Sequence, residues 1–455
     1  MSDDATGQKV LQQGDWIIED LTIESHEGKR FMVLDQFVDL VFHESMFENM
    51  THGKIRLRDG ISLIQYLPII GEETLTFAYK SFGDYETVRK QFSIYRVGNV
   101  KTVNDKIVEY TLFFVSEQAL LNENTSISRS WNTKPVTDIV RNVYDDYLTG
   151  SDGKALTEIR EPTMNTQSIV VPNWTPFQTI NWCCSIAKSS EHVGSLYMFY
   201  ENTAGYNLRH IEGVIDEGKN DDRTLKFSQK LAGSDPNENE NVDAVWPIAG
   251  SIASYRVIKT TDKLGSLTDG MMASRTISYD NVTKAIRVND FDYRKSFANQ
   301  STMSDNSLVS DGYGYTSPLQ RVIGKSTKTH RNSSGRYSSN QSLENGMGED
   351  SPSLRSSMLS QLTANQIEIQ MYGDSRLTVG MMINVELQNY TALKDKKKRK
   401  GDRFIDELML IGDCKHMFNA SGYTIMATLY KDSMSNSPIF DLTDQGSDGA
   451  ATDDS

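Results

Sequence analysis

The chain has 455 residues, and its 47 Lys and Arg against 61 Asp and Glu leave a net charge of −14. That length holds roughly two to four domains, each able to bury a core. The acidic balance argues against a protein that coats nucleic acid, which needs a basic face. The aromatic content, with 20 Tyr, 17 Phe and 5 Trp, is too high for a disordered chain. Three cysteines, Cys183, Cys184 and Cys414, exclude a disulfide scaffold and fit a reducing compartment.

The N-terminal string MSDDATGQKVLQQGD is acidic and lacks an apolar centre, so it reads as a flexible lead over residues 1–14 and not as a signal peptide. No stretch approaches the roughly 18 continuous apolar residues of a membrane span, so no membrane insertion and synthesis in the cytosol are expected. Strand signals begin at Trp16 with DWIIEDLTIES. FMVLDQFVDLVFHES follows, and then GKIRLRDG, where Ile55 and Leu57 alternate with Arg56 and Arg58. A period of two means one dry face and one wet face. TLTFAYKS, RKQFSIYRV and IVEYTLFFVSE continue the pattern, with Val108, Tyr110, Leu112 and Phe114 on one side. Asn104 and Asp105 tolerate the turn between the last two. Several strands without a long helix predict a small antiparallel barrel or sandwich over 15–121.

After Leu121 the period changes. Val136, Ile139, Val140, Val143, Tyr144 and Tyr147 fall at helical spacing, with Pro135 in the first turn. TPFQTINWCCSIAK starts a second helix, with Thr175 as cap, Pro176 at the first helical position and Gln178 completing a capping box. SLYMFY and YNLRHIE, on either side of ENTAG, read as a hairpin. Residues 122–240 are thus an α/β domain with its own core, running into the polar loop SDPNENENVD.

SIASYRVIKT and SRTISYD resume the strand signals. Residues 301–365 are rich in Ser, Asn and Gly and read as an insertion, mobile for most of its length. SPSLRSSMLSQL places Leu354, Met358 and Leu362 four apart and closes it with a helix. QIEIQMYG, GMMINVEL, RFIDELMLIGD, KHMFN and GYTIMATLYKDS then complete a second β region over 241–300 and 366–433. Residues 434–455 are an acidic disordered tail. IYRVGNVKTVNDKIVEYTLFFVSE and IGDCKHMFNASGYTIMATLYKDS share one design: a strand, a short polar turn, and a long alternating strand that ends in an acidic residue and a Ser. That repetition suggests two similar barrels in one chain.

Catalytic, cofactor and metal signatures are not found. There is no GxSxG elbow, no GxGxxG or P-loop, and no CxxC or HxxxH. Cys183 and Cys184 lie in a helix as small core residues. Cys414 and His416 share one face of a strand and could begin a metal site, but packing is the better reading. Carboxylate pairs for glycoside hydrolysis are cheap among 61 acidic residues and so carry no signal. The glycines of SDGYGYTSP read as a loop tip. KDKKKRK (394–400) lies between two strands and reads as a solvated hairpin tip. Trp131, Trp174 and Trp182 read as anchors of the α/β domain and not as a ligand cage.

The order of elements resembles the central baseplate hub protein of contractile-tailed bacteriophages. The carrying segments are VPNWTPFQTINWCCSIAKSS, the Gly373, Asp374, Leu377 and Gly380 turn of SPSLRSSMLSQLTANQIEIQMYGDSRLTVGMMINVEL, and the closing hairpin LIGDCKHMFNASGYTIMATLYKDS, within about residues 12–433. The resemblance implies a mostly β, α+β fold: two similar tail-tube-like antiparallel β-barrel domains, an inserted α/β domain, and a Ser-rich insertion in the second barrel. It implies a homotrimer, with a ring of six similar units matching a sixfold tail tube to a threefold spike, and no enzymatic activity. Its implied partners are the tail tube protein, the central spike protein, the tape-measure protein and baseplate wedge proteins. DNA would pass through the channel without specific binding. The place implied is the tail baseplate of a virion assembled in the host cytoplasm. A tail-associated cell-wall hydrolase and a host-binding tail protein, with 301–365 as the contact, are the alternatives.

Overall fold

The computed structural model describes residues 14–66, 69–81, 86–150, 154–157, 159–164, 166–221, 224–229, 251–280, 284–308, 319–325, 329–331, 337–339, 351–388 and 403–433. The N-terminal lead up to residue 13, most of the loop after 229, the SDGYGYTSP glycines, KDKKKRK and the acidic tail lie outside them.

The chain opens with β1 (Trp16–Glu24), β2 (Arg30–Met32), β3 (Phe37–Ser45), β4 (His52–Asp59), α1 (Leu63–Tyr66), β5 (Thr74–Ser81), β6 (Val88–Asn104), β7 (Ile107–Val115) and α2 (Glu117–Asn124). The alternation read from the sequence sets their faces: Ile55, Leu57, Tyr110, Leu112 and Phe114 are fully buried. Their order in the sheet is β1-β5-β6-β7-β4-β3, with β2 outside β1.

A helical unit follows: β8 (Ile127–Pro135), α3 (Val136–Tyr147), β9 (Thr166–Trp174), α4 (Pro176–Ile186), β10 (Tyr197–Asn202), β11 (Gly205–His210) and α5 (Ile211–Asn220). β8 pairs with β9, and β10 with β11. Pro135 is the residue before α3, and the capping box at Thr175 and Gln178 starts α4 as the sequence predicts. Ile139, Val140 and Val143 of α3 meet Cys183, Cys184 and Ile180 of α4 in a separate core that includes Trp131. Trp174 and Trp182 pack edge to face at 5.7 Å against that core.

The remainder contains β12 (Lys226–Gln229), β13 (Ser251–Lys259), α6 (Lys263–Thr268), β14 (Ala273–Asp280), β15 (Ile286–Asp292), α7 (Tyr293–Phe297), β16 (Leu319–Lys325), β17 (Thr329–Arg331), β18 (Tyr337–Ser339), α8 (Ser351–Leu362), β19 (Asn365–Tyr372), β20 (Met382–Gln388), β21 (Arg403–Asn419) and β22 (Gly422–Lys431). Six of these strands close a barrel in the order β12-β20-β21-β22-β19-β13 and back to β12.

The two sheets share one topology. Numbered along the chain within each set of six, both read first, fourth, fifth, sixth, third, second. The β6–β7 and β21–β22 hairpins, whose sequences share one design, occupy the same place in that order. The sets differ at their first strand: β1 runs antiparallel to β5, whereas β12 runs parallel to β20. They differ also in closure, because β1 and β3 do not pair while β12 and β13 do. The expected fold of two similar barrels with an α/β insertion is therefore the observed one.

The borders differ from the sequence reading. β12 comes from the stretch assigned to the α/β domain. β14 and β15, assigned to the second barrel, instead form a separate three-stranded sheet with β16. The reason is the inward face of β14: Ser274, Thr276 and Ser278 are buried, too small and polar for a barrel core. They admit α8 at close range, where Thr276 Oγ1 lies 2.8 Å from Ser353 Oγ. The Ser-rich stretch thus ends in a core helix, with Leu354, Met358 and Leu362 in the main core and buried Ser353 and Ser357 on the sheet side.

Candidate functional site

The two barrels meet at a seam built by β21. Its first half pairs with β20, and its second half pairs with β3 from Asp413↔Ser45 to Asn419↔Asp39. A register shift between Ile411 and Asp413 marks the change of course. The tip of the β21–β22 hairpin then fills the gap that β1 and β3 leave open. Tyr423 N donates to Gly14 O at 2.9 Å, just ahead of β1. The Phe418 ring lies 4.9 Å from Trp16, 5.0 Å from Phe77 and 4.8 Å from Tyr79, and it stacks on Tyr423 at 4.2 Å. The second barrel thereby completes the first, and a single apolar core runs through both.

Inside the seam lies a buried polar network. Inward positions of β3 are Leu40, Phe42 and Glu44, and those of β6 are Lys90, Phe92 and Ile94. Glu44 is fully buried and Lys90 is 4% exposed, and their charged ends form an ion pair. Thr378 Oγ1 donates to Glu44 Oε2 at 2.6 Å. From β21, His416 stacks on Phe42 with centroids 4.4 Å apart, and its Nε2 lies 3.1 Å from Cys414 Sγ and 3.8 Å from Glu44 Oε2. Its Nδ1 lies 2.6 Å from Tyr423 Oη. Burial pushes the Glu44 carboxyl up, but Lys90 and His416 outweigh it and hold it well below the usual carboxylate range. Burial pushes His416 down, toward neutral imidazole, against the pull of Glu44. The arrangement locks two barrels together and has the ion pair sealed from water. The packing role expected for Cys414 and His416 is what the structure gives them.

The turn from Gly373 to Gly380 is the second half of the lock. Gly373 N donates to Tyr423 O at 2.8 Å, Ser375 N to Ser81 Oγ at 2.8 Å, and Gly380 N to Ile411 O at 2.9 Å. Leu377 and Val379 are fully buried. A Cβ at Gly373 would stand 1.9 Å from Tyr423 Cδ1, and Gly380 has φ +83 with Tyr200 Oη 2.2 Å from its Cβ position. Thr378 Oγ1 also accepts from Thr203 N at 3.1 Å, which ties the β10–β11 hairpin to the seam.

The α/β unit is anchored on both sides. Glu201 of β10 is buried and accepts from Thr51 N at 2.7 Å and from Ser116 Oγ, and Lys154 Nζ lies 2.8 Å from it. From α8, Arg355 Nη1 donates to Cys184 O at 3.2 Å and to Tyr197 O at 3.1 Å. Burial pushes the Cys184 thiol up to about 12, which favours the protonated form. The Ser that ends each long hairpin is hydrogen-bonded in both cases, but differently: Ser116 Oγ donates to Glu201 of the α/β unit, and Ser433 Oγ accepts from Ser304 N at 2.7 Å. A cavity of about 380 Å³ lies between α5, the β10–β11 hairpin and the start of β20. Its charges are already paired: Arg209 forks to Glu161 at 2.8–3.1 Å and reaches Glu217 at 2.7 Å. Among the described residues no helix is long and apolar enough to cross a membrane.

Sequence periodicity carried a signal for the Glu44–Lys90 pair. Each charge occupies an inward position in a strand whose other inward residues are apolar, and the two charges are opposite. Which strand faces which is a tertiary fact.

No family model and no curated protein matches the sequence. Solved structures do match. The tail protein from Neisseria meningitidis MC58 is 10% identical, aligns over 92% of this chain and 97% of its own, and superposes with a TM-score of 0.51. The 43 kDa tail protein of prophage MuSo2 from Shewanella oneidensis is 11% identical over 91% and 98%, with a TM-score of 0.49. An E. coli component of the type VI secretion system gives 9% identity over 93% and 79%, with a TM-score of 0.38. The mostly β fold expected from the sequence is the fold that the chain has, and it is shared with the Neisseria tail protein.

Proposed function

We propose that the protein is a structural hub subunit of a contractile phage tail baseplate. Three copies close a ring with pseudo-sixfold symmetry, which adapts a hexameric tail tube to a trimeric spike and lets DNA pass during ejection. The observation that carries this reading is the shared strand order of the two barrels, fixed in relative position by a common hairpin. Two similar modules per chain and three chains give six similar positions, and the shared seam fixes how the two modules of one chain sit together. The likeness to the Neisseria tail protein, which runs nearly end to end, supports a tail role.

Apolar side chains on outer faces support assembly. On the β14–β15–β16 sheet, Val288 and Val322 both pair across strands with Ile277 and are 56% and 77% exposed, beside Ile286 at 66%. The β6–β7 hairpin extends past the barrel with Val100 60% exposed. On this reading the partners are further copies of the chain, the tube and spike proteins, the tape-measure protein and the wedge proteins, and the chain catalyses no reaction. Sedimentation and electron microscopy of the purified protein, alone and with its spike partner, test it. The expected result is a ring of three 51.2 kDa chains around a hole. A monomer under both conditions, a solid centre, or lysis of purified peptidoglycan would contradict it.

A further inference from the structure

The β3–β4 hairpin carries a group of side chains that the seam does not use. His43 and His52 are cross-strand partners, and Glu48 stands in the turn between them. Their ligand atoms all lie within 4.8 Å of one another. His52 Nδ1 and Glu48 Oε2 are 3.2 Å apart, close to the edge of a tetrahedron with metal bonds of about 2.0 Å. The two imidazole centroids are 5.2 Å apart and edge to face, so neither ring covers the other's nitrogens. His43, Glu48 and His52 have side chains 29%, 46% and 46% exposed, open enough for an ion to enter with its water. Asp413, from β21, stands behind, with its Oδ1 3.9 Å from His43 Nε2.

Hydrogen bonds within the protein tie the turn down. Met46 N donates to Gly412 O at 2.8 Å and Phe47 N to Ser45 Oγ at 3.1 Å. Asn49 and Asn181 exchange amide hydrogen bonds at 2.7 and 3.1 Å, and Asn49 Nδ2 also reaches Phe199 O at 2.8 Å. Thr51 is fixed by Glu201 and by Ser116 N, which donates to its carbonyl at 3.0 Å. Ligands on two paired strands and one pinned turn need little ordering on binding, which is what separates a binding site from a chance cluster.

We propose that His43, Glu48 and His52 bind one divalent transition ion of the zinc type. Two imidazoles and one carboxylate suit Zn²⁺ and Co²⁺ over Mg²⁺ or Ca²⁺, and three protein ligands leave a fourth position for water. The ion clips the hairpin whose first strand pairs with β21, and so reinforces the seam from outside. This inference does not depend on the hub reading.

The test uses the untagged full chain, freed of metal by chelator and titrated calorimetrically with ZnCl₂. One equivalent is expected to bind at micromolar dissociation constant or tighter. CoCl₂ is expected to give the visible absorption of a four-coordinate ion. Glu48→Gln and His52→Asn, both at half-exposed positions, each lower the affinity at least tenfold. His43→Asn with His52→Asn lowers it at least a hundredfold, and His192→Asn leaves it unchanged. Zinc binding of equal strength in His52→Asn and the parent, or no binding above millimolar concentration, would overturn the proposal.

Discussion

Replacing Lys90 with Met removes the ammonium from the barrel seam and keeps most of the side chain's volume. Glu44 then stays fully buried, with the 2.6 Å hydrogen bond from Thr378 left to it. Removing one partner of a buried pair costs about 3–5 kcal/mol. The remaining charge-assisted bond holds the expected cost near the lower end, about 3 kcal/mol. With a urea dependence of about 3 kcal/mol per molar for a chain of this size, the midpoint falls by on the order of 1 M. The pH dependence is diagnostic. In the parent the Glu44 carboxyl is held below its ordinary 4.5, so its stabilisation is present above that value and is lost only as pH falls through the depressed one. In the variant, burial acts without Lys90 and raises the carboxyl, so stability is lost as pH rises through the new value. The gap between the two proteins should therefore widen as pH rises from the parent's depressed value toward the variant's raised one, and be larger at pH 7 than at pH 4. Adding Glu44→Gln to the variant should recover most of the loss. Urea titrations by circular dichroism at several pH values check this. A gap under about 1 kcal/mol that is flat with pH would refute the claim that the pair is buried and coupled.

Gly373→Ala places a Cβ 1.9 Å from the Tyr423 ring, so overpacking at the seam should cost about 3 kcal/mol or more, whereas Gly60→Ala meets no atom within 4 Å and should cost under about 0.5 kcal/mol. Thermal melts of the pair give the comparison. Glu212 is 1% exposed with Oε1 unbonded, and burial, helped by Asp216 and Asp432, raises its pKa to about 7. Its raised value favours the folded state at low pH, and that advantage is lost as pH rises from 4.5 through 7. At about 1.4 kcal/mol per pKa unit, the parent should lose on the order of 2–3 kcal/mol between pH 5 and 8, and Glu212→Gln should be flatter over that range. Equal slopes for the two proteins would show that Glu212 is ionised throughout.

Local chemistry makes much of this protein legible in its sequence. Alternation in IVEYTLFFVSE and GYTIMATLYKDS is enough to bury Tyr110, Leu112, Phe114, Tyr423, Ile425, Ala427 and Leu429, because a strand cannot present neighbours to one face. Thr175, Pro176 and Gln178 fix the start of α4, since a cap acts within one turn. The kinship of the β6–β7 and β21–β22 hairpins was visible as pattern for the same reason. Pairing between distant strands is another matter. Nothing local says that β12 belongs to the barrel and β14 to a separate sheet, or that β21 leaves β20 for β3 midway, because register is set by which faces must share a core. The same holds for the functional features. Glu44 and Lys90, 46 positions apart, and Thr378, 334 from Glu44, are ordinary polar residues in sequence and become a seam only when two barrels close on them. The sequence alone determined strands, caps and the repeated module; tertiary packing alone decided which charges were removed from water together, since burial is a property of the assembled fold.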